Sequence, residues 1–365
     1  MISTTADIRT ADTSGSPPVW VTHRTRAVAR RAYGGRVHRV RLAATLTAVL
    51  LTALTGCGGS DAEYAPLRHP FRGATLLVDT DSPAAHWRDD HHAAWLDPIA
   101  RTPQAHWLTG PEDLADLRPY LAAARARKAL PVVVIYHIPN LDCAGPDGGG
   151  ASGPAAYARF VRRVTEVLGD SRAAVILEPD GVAAECFDDA RARMLAEATR
   201  TLADAGHHVY LDAGHPHWRA AEETAERLHR SGIARAEGFS VNVANRQSTA
   251  DSHRWGRRVS DLVGGREMVI DTSRNGLAAP PGDQWCNASP QALGQPPTTE
   301  PRLDRVAALL WIKNPGESDG PCGRGEPAPG VFSPAQARAL IAAAPWLPAA
   351  ARGAAAQASP PGDSD

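Results

Sequence analysis

The hydrophobic positions of the chain gather into short β-rich runs separated by longer stretches of helical spacing. Seven runs read as strands: Thr75–Asp79, Val132–Tyr136, Ala174–Leu177, His208–Asp212, Gly238–Asn242, Glu267–Asp271 and Ala308–Ile312. Ala174-Val-Ile-Leu is apolar at every position, the mark of a strand buried on both faces. Between the runs, segments such as Ala155–Leu168 and Ala190–Ala205 carry apolar residues at the period of an amphipathic helix. Alternation of strand and helix predicts a parallel sheet covered by helices. Polar residues follow nearly every run: Asp142, Asp180, Asp212, Asn242, Asp271 and Lys313. No Gly-rich turn follows the first run, as a dinucleotide-binding sheet would require. The pattern predicts an α/β barrel with polar groups converging at one rim.

Asp180 shows how that rim is built. Glu178-Pro179-Asp180 ends a buried run, because Pro179 cannot continue sheet pairing. Asp180 therefore stands where a strand meets a loop, the place where parallel barrels put their chemistry. A helix cap is the plainer reading of such an aspartate.

Composition adds limits. The 365 residues suffice for one large α/β domain or two small ones, and a net charge of -1 gives no reason to expect nucleic acid or an anionic membrane as partner. A basic patch at Arg36, His38, Arg39 and Arg41 precedes an apolar run, Leu42–Leu54, that suits a signal peptide and is too short to span a bilayer comfortably. Leu54-Thr55-Gly56-Cys57 resembles a bacterial lipobox, which implies lipidation at Cys57; an ordinary cleaved signal peptide is the alternative. Export is expected, to the cell surface as a lipoprotein or into the medium. The remaining cysteines, Cys143, Cys186, Cys286 and Cys322, then meet an oxidising compartment, and three disulfide pairings are open. Their spacings do not resemble a zinc site.

Carboxylates at Asp142, Asp180, Asp212 and Asp319, with Glu317 two residues before the last, suggest acid–base work or a hard-metal site. Nine Trp against five Phe and six Tyr tilt this towards stacking on sugars.

Seven segments in order carry a family resemblance. They are Tyr136-His-Ile-Pro-Asn-Leu-Asp-Cys143, Ile176-Leu-Glu-Pro-Asp180, Val209-Tyr-Leu-Asp-Ala-Gly-His215, Gly238-Phe-Ser-Val-Asn-Val-Ala-Asn245, Val269-Ile-Asp-Thr-Ser-Arg-Asn-Gly276, Trp285-Cys-Asn287 and Leu310-Trp-Ile-Lys-Asn-Pro-Gly-Glu-Ser-Asp-Gly320. Together they resemble glycoside hydrolase family 6, the inverting cellulases. The resemblance implies a distorted seven-stranded parallel α/β barrel over residues 73–349, after an export segment (1–56) and a linker (57–72), with a disordered tail at 350–365. It implies Asp180 as general acid, Asp142 as the carboxylate that raises its pKa, Asp319 as proposed base, and Tyr136 as the residue crowding the sugar before the cleaved bond. Lys313 and Glu317 match sugar-hydroxyl ligands, Trp87, Trp218 and Trp285 stacking platforms, and Asp212 a binding aspartate; His215 and Asn245 are further candidates for substrate binding or for orienting its ligands. The family's disulfides imply Cys143–Cys186 and Cys286–Cys322. Glu178 and Asp271 read as helix caps or partners of Arg274, and Trp311 as barrel core. No metal or cofactor is implied; a β-1,4-glucan is the expected partner of a monomer.

Two departures stand out. Leu141 replaces the arginine that usually precedes the aspartate at 142, and Gly148-Gly149-Gly150 replaces a serine-bearing loop and reads as mobile. They leave open a weakened, glucan-binding member. Only Gly320 and Pro321 separate Asp319 from Cys322, so the roof loop of exo-acting relatives is missing and an open, endo-acting cleft is expected over a cellobiohydrolase.

Overall fold

The computed structural model describes residues 64–358 apart from 142, 146–147 and 278–283. The export segment, Cys57, Asp142 and the end of the tail lie outside the described residues. Seven parallel strands pair in sequence order: β1 (His106–Leu108), β2 (Val132–Ile135), β3 (Ala174–Leu177), β4 (His208–Asp212), β5 (Gly238–Val241), β6 (Glu267–Asp271) and β7 (Val306–Leu310). The helices are α1 (Pro83–Asp90), α2 (Asp97–Ala100), α3 (Leu114–Arg127), α4 (Pro154–Leu168), α5 (Asp189–Asp204), α6 (Ala221–Arg230), α7 (Thr249–Leu262), α8 (Pro334–Ala343) and α9 (Ala349–Gln357). The sheet curls into a distorted barrel, as expected. Across the gap between its edge strands, the Ala105 N–H donates to Trp311 O at 3.1 Å and the Trp107 indole to Ile312 O at 2.7 Å.

The alternation of the strands sorts side chains between two cores. Val132, Val134, Ala174, Ile176, Tyr210, Val269, Ala308 and Leu310 fill the barrel, whereas Val133, Ile135, Val175, Leu177, Val209, Leu211 and Phe239 pack under the helices. Helix α4 shows the outer fit: Tyr157, Phe160, Val161, Val164 and Leu168 make one buried stripe. Gly238 is required by close approach, since a Cβ there would meet Glu267 O at 1.9 Å. Phe71, 1% exposed, reaches from the segment before the first strand into the barrel beside Tyr210, with ring centroids 5.7 Å apart.

Four expectations are corrected. Thr75–Asp79 is not a strand; it makes a single bridge, Leu76 to Leu130, and the edge position belongs to His106–Leu108. The last strand ends at Leu310, two residues early, because Val306–Ile312 is apolar throughout and its pattern fixes no boundary. Trp311 is buried outside the barrel, in a satellite core with α1, α2 and α8. The expected disordered tail is helical through Gln357, where α9 buries Ala355. Alanine is the strongest helix former, and a docking face adds to it.

Candidate active site

The rim is the set of loops leaving the carboxyl ends of the strands. Many of its non-glycine residues take the left-handed conformation: Asn140, Cys143, Glu178, Asp180, Asn242, Ala244, Asn287 and Cys322 have φ between 42° and 69°. Such backbone costs about 1–3 kcal/mol per residue and persists only where surrounding bonds enforce it.

For Asp180 the enforcing group is Asp212. Its Oδ2 accepts the Asp180 N–H at 2.8 Å and the Gly214 N–H at 3.1 Å, while Oδ1 accepts from the Ser240 hydroxyl at 2.8 Å. Asp212, expected as a binding aspartate, is 0% exposed and meets Asp180 through the backbone. Burial first, then the charge of Asp180, pushes the Asp212 carboxyl well above the usual range, against its three donors. Glu178, two residues before the acid, is also sealed, and burial raises it to about 7.

On the far side, Asp319 stands in the loop after β7. Arg274 Nη1 and the Asn287 N–H both reach its Oδ2 at 2.9 Å, and the Asp319 N–H returns a bond to Asn287 Oδ1 at 2.7 Å. Arg274 also donates to Ala244 O from Nε at 2.9 Å. Arg274 is therefore the partner of Asp319, not of Asp271 as one expectation had it. Asp271 instead accepts N–H bonds from Ala244, Ser273, Ile312 and Lys313 at 2.8–3.2 Å, tying together the loops after β5, β6 and β7.

Most of the other sequence-predicted residues gather in small groups of contacts. Lys313 Nζ lies 3.5 Å from Glu317 Oε2 and 5.7 Å from the Trp107 ring centroid, and Trp107 meets Tyr136 edge-on at 5.7 Å. Burial raises Glu317 against the pull of Lys313. Trp87 joins this side through Phe332 at 6.2 Å, but His91 stacks on one of its faces at 4.2 Å. Trp218 packs near His215 at 5.6 Å, and the half-buried His215 is pushed down to about 4, first by desolvation and then by His217. Trp285 is 65% exposed. Asn245 Oδ1 accepts from the Arg246 N–H at 2.8 Å, so it shapes its own turn. Sequence reasoning missed Trp107, whose strand is too short to show a pattern, and the Arg274–Asp319–Asn287 cluster. The signal for Asn287 lay in the Trp-Cys-Asn segment.

Both implied disulfides are present. Cys143–Cys186 joins the loops after β2 and β3, and Cys286–Cys322 joins those after β6 and β7, so each braces one carboxylate's loop. The glycine loop is held as well: Gly149 O accepts from the Asn140 N–H at 3.0 Å, and a Cβ on Gly150 would stand 2.0 Å from Ile138 O. Glycine at 150 thus serves close packing, where mobility was expected.

Carboxylates gathered at one rim with tryptophans beside them suit a barrel that cleaves polysaccharides, and the family model described as glycosyl hydrolases family 6 matches residues 74–344. The chain belongs to that family, as an endoglucanase-like member. It is 38% identical over 303 residues to Endoglucanase 1 of Streptomyces halstedii, covering 76% of this chain and 92% of that protein. Endoglucanase A of Cellulomonas fimi is 40% identical over 246 residues, 66% of this chain and 54% of the relative, so the chain spans about half of that protein's length. The solved endoglucanase Cel6 from Mycobacterium tuberculosis, in complex with methyl-cellobiosyl-4-deoxy-4-thio-β-D-cellobioside, superposes with a TM-score of 0.70 at 40% identity, covering 74% of this chain and 97% of that one.

Proposed function

We propose that the protein is an endo-β-1,4-glucanase that hydrolyses internal bonds of cellulose or a related β-glucan with inversion. Asp180 gives its proton to the leaving glycosidic oxygen as the C1–O bond breaks. A water attacks C1 from the opposite face and releases its proton along a path oriented by Asp319. Inversion of this kind uses acid and base about 6.5–9.5 Å apart. Asp142 keeps Asp180 protonated by like-charge repulsion. Tyr136 crowds the ring before the cleaved bond, Lys313 and Glu317 bind hydroxyls, and Trp87, Trp218 and Trp285 offer stacking faces. The observation that carries the reading is the Asp212 carboxyl that accepts the Asp180 N–H at 2.8 Å and so fixes the backbone of the proposed acid at the rim. We further propose that the chain is exported and acts as a monomer, lipidated at Cys57; mass spectrometry of the mature N-terminus tests the lipidation.

The deciding test is reducing-sugar release from carboxymethyl cellulose and barley β-glucan by the wild type beside Asp180→Ala. Activity is expected to drop about 10²–10⁴-fold, the usual worth of a general acid. A second reading, favoured by Leu141, is a glucan-binding member with weakened turnover. Inactivity of both proteins with retained glucan binding would select it.

A further inference from the structure

Beyond residue 136 the chain leaves the sheet, and its backbone polar groups need other partners. They find them on two buried side chains from elsewhere. Glu178 accepts the His137 N–H at 3.0 and 3.2 Å and the Ile138 N–H at 3.0 Å. Pro139 has no N–H. Arg191, on α5, donates from Nη2 to Pro139 O at 3.1 Å and Asn140 O at 2.6 Å, and reaches Cys186 Sγ at 3.3 Å. One carboxylate and one guanidinium, 0% and 3% exposed, thus satisfy four successive residues. Those residues connect Tyr136 to Leu141 and Cys143, and Glu178 itself is two residues from Asp180.

We propose that Glu178 and Arg191 are positioning residues: a buried clamp that holds the loop after Tyr136 in register with Asp180. The inference rests on the roles assigned above to Tyr136 and Asp180. Neither clamp residue touches the cleft; each acts through the backbone it grips. The titratable groups that act on Glu178 are Tyr157 from α4 and Arg191 from α5; Asp188 and Tyr136 in turn act on Arg191. Burial, offset by the two N–H donors, Tyr157 and Arg191, places the Glu178 proton at about 7. The clamp therefore changes charge near neutrality, and with it the strength of its hold on the His137 and Ile138 N–H groups.

The test compares wild type, Glu178→Gln, Arg191→Met and Arg191→Lys, all as the full chain, by amide hydrogen exchange and by the pH dependence of glucan hydrolysis. Losing a buried hydrogen bond leaves an orphaned polar group, so exchange in residues 136–141 should rise about tenfold in Glu178→Gln and Arg191→Met, while β4 to β6 stay protected. Arg191→Lys should recover part of the protection. The same variants should lose about tenfold in kcat with KM within about twofold. The alkaline limb of the Glu178→Gln profile should move. Unchanged exchange at 136–141, or a rise spread over the whole barrel, would overturn the clamp. A local rise with an unmoved alkaline limb would overturn its proton-linked part. The exchange result stands whether or not the wild type hydrolyses glucan, so failure of the hydrolase reading would be recognised separately.

Discussion

The two ends of the barrel both bury carboxylates, with opposite results. At the carboxyl rim, Asp212 and Asp271 accept only N–H and hydroxyl bonds, no cation bridges them among the described residues, and burial drives both upwards. At the amino-terminal mouth, Glu237 is also buried, at 3% exposure, and burial pushes it the same way. There, however, the His208 ring bonds to it at 3.2 Å, the backbone N–H groups of Arg68 and His69 donate at 2.5 and 3.1 Å, and Arg68 Nε lies 3.4 Å away. These hold Glu237 at about 2. A carboxyl taken out of water becomes a proton holder or a fixed anion according to the donors and charges that meet it. The rim is arranged for chemistry, and the mouth for cohesion.

Mutations can break that division in order of effect. The largest concerns activity: Asp180→Ala should remove about 10²–10⁴-fold of turnover while leaving the thermal midpoint nearly in place. At the other end, Phe71→Ala should cost about 3–5 kcal/mol of stability, read from urea unfolding, with turnover per folded molecule retained. If Phe71→Ala lowers kcat as strongly as Asp180→Ala, the two ends are not separable. A pH series sharpens the contrast. Glu237 is depressed from 4.5 to about 2, so its contribution is full above 4.5 and lost as pH falls towards 2. Glu178 is raised from 4.5 to about 7, so its contribution is full below 4.5 and lost as pH rises to 7. Glu237→Gln should flatten the acid slope of urea midpoints, and Glu178→Gln the slope between 4.5 and 7; the reverse assignment would refute both. The smallest effect is expected from Leu141→Arg, which gives Asp142 a cation and should move the acid limb of the pH–rate profile down by about one unit. An unmoved limb would mean that Leu141 does not set the proton affinity there.

The barrel was legible because buried parallel strands are written as continuous apolar runs, as in Ala174–Leu177. His106–Leu108 was not: three residues with a polar start carry no period, and pairing with β2 alone makes them a strand. The candidate acid was legible from a local rule, Pro179 ending a strand. The setting of Asp319 was not, because Arg274 and Asn287 come from loops 45 and 32 residues away and meet it only after the barrel curls. Asp212 was visible as a rim aspartate, but its bonds to the Asp180 and Gly214 N–H groups and the Ser240 hydroxyl depend on how neighbouring strands curl together. The Ala-rich tail misled because composition was weighed above the helix-forming strength of alanine.

The segment from Tyr64 to Phe71 enters the barrel at the mouth, where the Ala65 N–H donates to Ala234 O at 2.9 Å and Arg68 grips Glu237. Tyr64 therefore lies at the end of the barrel opposite the rim that carries Asp180 and Asp319. Coupling the protein through that end to a bead, an electrode or a yeast surface would present every cleft outward to an approaching polymer. Such a coating should work on insoluble fibres at the rate per molecule seen in solution.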